Sequence, residues 1–245
     1  MANELSLIKP DWPAPSNVKT FVTTRVGGVS KAPFNSLNLA LHVGDELAAV
    51  EVNRQRLSQY LSLPAEPAWL EQVHGTGVVT LPISTDCTAD ASYTWDSSAV
   101  CVVMTADCLP VVFCNSQGTE VAAAHAGWRG LLDGVLESTV EHFNSKPEDI
   151  VAWLGPAISI KAFEVGDEVR EAFVHKNPES KKAFVAGDSD KWYADLYELA
   201  RLRLGNIGLT QVYGGSHCTF EEEDLFYSYR REGQTGRMAT LIWRE

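Results

Sequence analysis

The sequence predicts an α+β fold, a layered sandwich organised around a mixed β-sheet. Two kinds of segment predict it. Continuous apolar runs at 99–104 (Ala-Val-Cys-Val-Val-Met) and 111–114 (Val-Val-Phe-Cys) have the character of strands covered on both faces. Stretches with helical spacing stand among such runs without strict alternation, which points away from a regular βαβ repeat. The 245 residues show no internal repeat, low-complexity tract or domain boundary, and they are enough to bury a substantial core.

The elements follow in order. Residues 18–24 alternate as a strand and run into Arg25-Val26-Gly27-Gly28-Val29-Ser30, where the glycine pair makes a turn and lets backbone N–H groups approach a ligand. Residues 45–63 read as a helix, with Asp45 as N-cap, Val50, Leu57 and Leu61 near helical spacing, and Pro64 as the stop. Arg54 and Arg56 are expected on its solvated face. Short strands follow at 69–74 and 78–81, joined at Gly75 and Gly77, so that His74 stands at a strand-to-turn junction. The polar pair Asp107-Cys108 then interrupts the two apolar strands. A strand at 120–124 delivers His125 into a glycine-rich turn, and a helix is predicted from about 129 to 143. Beyond it come a strand at 150–154, a Gly155-Pro156 loop, helices at 165–175 and 192–205, a polar surface loop at 177–190, and strands at 211–213 and 238–243.

Composition narrows the function classes. The net charge is −12, from 32 acidic and 20 basic residues with no basic run, which argues against nucleic-acid or anionic-membrane partners. An anionic ligand would have to meet a local arginine cluster. The five cysteines form an odd, scattered set, unlike a secreted disulfide framework and suited to a reducing cytoplasm. The N-terminus lacks a basic region followed by a long apolar core, and no stretch reaches the roughly 20 apolar residues of a membrane span. A soluble, cytoplasmic protein is expected.

Three motifs carry chemistry: Gln72-Val73-His74-Gly75, Thr105-Ala106-Asp107-Cys108-Leu109-Pro110 and His125-Ala126-Gly127-Trp128-Arg129-Gly130. His74, Cys108 and His125 offer one soft thiolate and two imidazoles, separated by 34 and 17 residues, with no CxxC or HxxxH pair. Structural zinc is usually enclosed by four protein ligands, whereas a catalytic ion keeps three and an open position, so these residues suit catalytic zinc. The alternative is a buried cysteine with two hydrogen-bonded core histidines. Asp107 stands beside the thiolate as a proton donor or acceptor, or as a turn-forming carboxylate. Arg25, Arg129, Arg230 and Arg231 fall in Gly- or Tyr-rich segments, and guanidinium suits phosphate or carboxylate. Arg129 also opens a helix, whose free N–H groups favour an anion. Tyr227 and Tyr229 offer a flat surface for an aromatic ligand, or else strand packing.

Thr24-Arg25 with Gly27-Gly28-Val29-Ser30, Asn38-Leu39, Val43-Gly44-Asp45, Asn53-Arg54, the three motifs above, Gly155-Pro156-Ala157-Ile158, Phe163-Glu164-Val165-Gly166, Cys218-Thr219 and Ser228-Tyr229-Arg230-Arg231 with Gly236-Arg237-Met238 together resemble the YfiH-like family, also called the laccase-domain or polyphenol-oxidase family. The likeness runs in order from about residue 20 to 243. It implies a single-domain α/β/β/α sandwich over 1–245, zinc ligands His74, Cys108 and His125, and a zinc-dependent enzyme that phosphorolyses adenosine, inosine and methylthioadenosine and deaminates adenosine. Purine nucleosides and phosphate would be its ligands. Arg25, Arg129 and Arg230 are the candidate substrate-binding residues, and Asp107, Cys108 and His125 the candidate catalytic ones. Lys161-Ala162 stands where relatives often place a cysteine before Phe163.

Two other chemistries fit parts of the pattern. Cys108 as nucleophile with His125 as base describes a thiol hydrolase, and the family resemblance, which extends to the editing of peptidoglycan precursors, implies an amidase-like activity that would fit it. Two histidines and a cysteine also imitate a blue-copper centre, but a four-copper oxidase needs roughly ten histidine ligands and the chain has 6.

Overall fold

The computed structural model describes residues 5–82 and 86–245. In chain order the strands are β1 (Leu7–Ile8), β2 (Val18–Thr23), β3 (Val78–Thr80), β4 (Ala91–Thr94), β5 (Cys101–Thr105), β6 (Leu109–Asn115), β7 (Val121–Ala126), β8 (Ile150–Leu154), β9 (Glu164–Gly166), β10 (Phe184–Ala186), β11 (Lys191–Ala194), β12 (Gln211–Gly214) and β13 (Met238–Arg244). The helices are α1 (Leu47–Leu61), α2 (Trp128–Asp133), α3 (Val135–Val140), α4 (Asp167–Lys176), α5 (Leu196–Asn206) and α6 (Tyr229–Glu232).

Two sheets pack face to face. One is four-stranded and antiparallel, in the order β1-β2-β13-β5; the other is six-stranded, in the order β12-β8-β6-β7-β4-β3. The larger is mixed, parallel at both edges and antiparallel between. Val22, Cys101, Val103, Val112, Cys114, Val121 and Ala123 fill the space between the sheets. Alternate residues of the same strands face outwards into helices. Val100 and Val102 meet Leu57 of α1, while Val111, Phe113, Ala122 and Ala124 meet Leu131, Leu136, Leu199 and Leu204 of α2, α3 and α5. Burial on both faces explains the uninterrupted apolar runs. The layers are α/β/β/α, as the sequence predicts, and a small β10-β11-β9 sheet flanks the second helical layer.

Several boundaries differ from the sequence reading. Residues 69–74 form no strand; they make one isolated bridge, Glu71 to Thr88. The helix expected over 129–143 is α2 and α3, separated by Gly134 at φ 110°, a left-handed conformation that glycine adopts without penalty. The helix expected over 192–205 starts only at Leu196, because Asp195 accepts hydrogen bonds from the N–H groups of Tyr197 and Glu198 and residues before it pair as β11. Similarly, 164–166 is β9 and the helix begins at Asp167. The segment 177–190 is not a plain loop, since it holds the 3-10 helix Pro178–Ala183 and β10, with Phe184 buried. Glu46, not Asp45, occupies the N-cap of α1; the Asp45 carboxylate instead accepts from Ser30 Oγ at 2.6 Å and Asn38 Nδ2 at 2.9 Å. Arg54 is not on a solvated face: its guanidinium lies 3.9 Å from the Trp69 ring centroid and donates to Leu39 O.

The polar break at Asp107-Cys108 has a topological cause. It carries the chain from β5 in one sheet to β6 in the other. The crossing leaves both residues at one end of the sandwich, beside the end of β7, where His125 pairs opposite Pro110 of β6.

Candidate metal centre

Three chain segments converge at that end. His74 comes from the bend before β3 and has φ 62°; Cys108 directly precedes β6; His125 is the penultimate residue of β7. One ligand atom from each lies within 4.8 Å of the other two, and Cys108 Sγ is 3.9 Å from His74 Nε2. A tetrahedral ion with bonds of about 2.0–2.3 Å holds such atoms about 3.5 Å apart, so small rotations close the set. His125 is buried, Cys108 half-buried and His74 exposed, which leaves one side open to solvent.

Asp90 organises the two histidines. Its fully buried carboxylate accepts from the backbone N–H groups of Val73 at 3.2 Å, His74 at 2.9 Å and Gly75 at 2.6 Å, and from His125 Nδ1 at 2.8 Å. The first three bonds hold His74 in its left-handed conformation, and the fourth fixes the His125 tautomer so that Nε2 turns towards Cys108. Burial alone would raise the Asp90 pKa, but the bonds from His125 and Gly75 hold it below the usual carboxylate value. Gln72 adds a clamp to β5, donating to Met104 O at 2.9 Å and accepting from Met104 N at 2.8 Å. Burial would raise the Cys108 thiol, yet the neighbouring imidazoles of His125 and His74 push it down. The donor set is thus a thiolate beside two oriented imidazoles, and it fits a metal ion with a fourth position open.

The open side faces a cavity of about 390 Å³. Trp128, Phe163 and Tyr229 give it flat apolar walls, and Arg129, Arg230 and Arg237 line it with guanidinium groups. Asp107 is the one carboxylate among the described lining residues. Its Oδ1 accepts from Thr219 Oγ1 at 2.7 Å and its Oδ2 from the Arg230 backbone N–H at 2.6 Å, so it ties the crossing to the start of α6.

Arg129 and Arg230 therefore reach the cavity, as the sequence suggested, with Arg129 over the Trp128 ring at 4.4 Å and Arg230 donating to Glu164 O at 3.0 Å. Arg25 does not. It pairs with Glu232 at 2.7 Å, donates to the carbonyls of Asn35 and Glu223, and lies over the Tyr227 ring, outside the cavity. Arg231 is likewise structural, bound to the carbonyls of Thr219, Phe220 and Phe226. The two tyrosines separate as well: Tyr227 is buried and donates to Phe34 O, while Tyr229 is an exposed cavity wall on a helix, not in a strand. Sequence reasoning singled out neither Asp90 nor Arg237 for the site. The Asp90-Ala91 step into an unrecognised strand, β4, was the missing signal, because a carboxylate there faces the end of neighbouring β7.

Comparison with known proteins gives one consistent relationship. The family model described as multi-copper polyphenol oxidoreductase laccase matches residues 19–245. Purine nucleoside phosphorylase of Haemophilus influenzae is 54% identical over 98% of this chain and 100% of its own length. Purine nucleoside phosphorylase YfiH of Escherichia coli is 55% identical over 97% and 98%. The crystal structure of a Neisseria meningitidis protein, 53% identical, superposes with a TM-score of 0.93 over 98% of this chain and 99% of that one. With the motifs gathered around the His74, Cys108 and His125 cluster and the relationship spanning nearly the whole sequence, the chain belongs to the YfiH-like, laccase-domain family.

Proposed function

We propose that this chain, as one domain over 1–245, is a zinc-dependent purine nucleoside phosphorylase of the cytoplasm, acting on adenosine, inosine and methylthioadenosine, with adenosine deamination as a second activity. The observation that carries the reading is the convergence of His74, Cys108 and His125 at a cavity walled by aromatic rings and arginines. The names of the relatives supply the reaction class. Phosphorolysis forms a bond between a phosphate oxygen and C1′ of the sugar. The glycosidic bond breaks with its electron pair leaving on the purine, which takes up a proton.

His74, Cys108 and His125 would hold a zinc ion, which would supply Lewis-acid chemistry in the cavity. The chain's own groups divide the remaining work. Trp128, Phe163 and Tyr229 present faces on which a purine stacks. Arg129 and Arg230 supply charge for an oxyanion. Asp107 faces the same space as a proton carrier for the departing base, while its bonds to Thr219 and Arg230 hold α6 in register. No helix among the described residues is long and apolar enough to cross a membrane.

A thiol hydrolase acting on peptidoglycan precursors is the second reading, favoured by the lowered thiol of Cys108 beside His125. Metal content separates the two. The purified protein should carry about one zinc per chain, as three-ligand catalytic sites do, and His74→Ala should lose it. Cys108 should alkylate only after the ion is removed. Stoichiometric copper, equal zinc in the His74→Ala variant, or equal alkylation with and without zinc would each overturn the assignment. Chromatography of adenosine incubated without phosphate tests the second activity, since deamination predicts inosine and its absence removes that part of the proposal.

A further inference from the structure

We propose that Arg237 forms the phosphate subsite of this cavity, an assignment that rests on the phosphorolysis reading. The chain is strongly acidic, so a phosphate dianion needs a local cation whose charge is not already spent. Three arginines line the cavity, and they differ. Arg129 is exposed and laid over Trp128; Arg230 is exposed, tied to Glu164 O and 5.5 Å from the Phe163 ring centroid. Arg237 is half-buried and rigidly mounted. Its backbone N–H donates to Asn38 Oδ1 at 3.0 Å, and the next residue, Met238, pairs with Thr105 at the end of β5. That register sets Arg237 beside the Ala106-Asp107-Cys108 crossing.

The guanidinium lies 5.9 Å from the Tyr229 ring centroid, and only one of its nitrogens makes hydrogen bonds. Nη1 donates to Thr235 O at 2.9 Å and Gly236 O at 3.0 Å, which uses both of its hydrogens. Nε and Nη2 make no hydrogen bond among the described residues. Those two nitrogens form the parallel N–H edge that binds an oxyanion side-on through two bonds. Nor does any described carboxylate lie within ion-pair distance of Arg237, in contrast to Arg25 with Glu232 and Arg203 with Glu137. Burial opposes its charge, and its anionic neighbours Cys108 and Asp107 only partly offset this. A half-buried guanidinium with no carboxylate in ion-pair reach and a free bidentate edge on a ligand cavity is a receptor for a tetrahedral oxyanion. Arg237 lines the same cavity as His74, Cys108 and His125, and Arg129 and Arg230 add positive charge around it.

Arg237→Gln and Arg237→Lys test the assignment on zinc-loaded protein. In Arg237→Gln the KM for inorganic phosphate should rise by about 100-fold, the scale of two lost charge-assisted hydrogen bonds. The KM for inosine should stay within about 3-fold of wild type, because apolar stacking carries most of the purine binding. Arg237→Lys, which keeps a point charge without the fork, should fall between. Calorimetric titration of inorganic phosphate into wild type and Arg237→Gln reads the subsite without turnover. Phosphate bound by wild type and lost from a zinc-loaded Arg237→Gln supports it even if inosine is not phosphorolysed, in which case the proposed reaction alone fails. Equal phosphate binding or an unchanged phosphate KM in that variant overturns the subsite. Failure of wild type to bind phosphate overturns it too.

Discussion

At the scale of single residues, the proposed metal centre depends on groups outside its three donors. Gly127 stands between His125 and α2, and a Cβ there would lie 2.8 Å from His74 Cδ2 and 3.2 Å from Cys108 Sγ. Its backbone conformation is ordinary, so the requirement for glycine is one of space. Gly127→Ala should therefore push two ligands apart, lowering zinc affinity by about 10-fold or more, the range seen when support around a metal site is lost. The melting temperature of the metal-free protein should barely move; titration with a zinc indicator beside a thermal melt checks both. Asp107 poses a different question. Asn in its place keeps one acceptor oxygen but carries no exchangeable acid proton. If Asp107 moves the proton, Asp107→Asn should lower turnover by about 100-fold or more at unchanged zinc content and phosphate KM. Should its bonds to Thr219 and Arg230 be its whole role, stability or zinc content should fall together with activity, and near-normal turnover removes it from the mechanism.

Among the elements, a buried polar cluster at the opposite end of the six-stranded sheet joins strands to the segment after α3. Glu120, buried before β7, accepts from Tyr93 Oη at 2.5 Å, Ser145 Oγ at 2.6 Å, Asn144 N at 2.7 Å and Asn115 Nδ2 at 3.0 Å. Burial would raise its pKa, but the donors, Ser145 foremost and then Tyr93, hold it below its ordinary 4.5. A depressed carboxyl stabilises the fold above its unfolded pKa, and the contribution is lost as pH falls through the folded value. Glu120→Gln should cost about 2–3 kcal/mol at pH 7, since an amide turns donors towards donors. Its stability should then fall less steeply than wild type below about pH 4.5, as read by urea unfolding monitored by circular dichroism at each pH. Equal slopes would mean that the cluster does not depend on the charge. Strands of this kind were legible in sequence wherever burial on both faces left continuous apolar runs, as in β5, β6, β8 and β13. The break of one long helix at Gly134 was not, because a helical hydrophobic period continues across it. β4 went unread since Ala91-Ser92-Tyr93-Thr94 is buried without being uniformly apolar, and the partners of its Tyr93 and Thr94 hydroxyls, Glu120 and Leu81 O, are provided only by the folded chain.

For the whole molecule, the site gathers loops from both sheets at one end of the sandwich, so the proposed metal would be thermodynamically linked to the fold. Zinc at 100 times its dissociation constant adds about 2.7 kcal/mol to stability, and about 2–4 °C per kcal/mol is expected for a chain of this size. Chelation should thus lower the melting temperature by about 5–10 °C, and added zinc should restore it; no shift would place the ion elsewhere than in the folded chain. The convergence of Cys108 with His74 and His125 was legible in sequence because a thiolate and two imidazoles in Gly-rich motifs have few structural uses. The arginines were less so. Arg25 and Arg230 look alike in sequence, and only the fold pairs one with Glu232 and turns the other into the cavity. The measurement that bears most directly on the account is phosphorus NMR of zinc-loaded protein given inosine with and without inorganic phosphate. Ribose 1-phosphate should appear in step with hypoxanthine, with no hypoxanthine released when phosphate is omitted. Free ribose formed at the same rate without phosphate, or equal turnover by metal-free protein, would contradict a zinc-dependent phosphorylase.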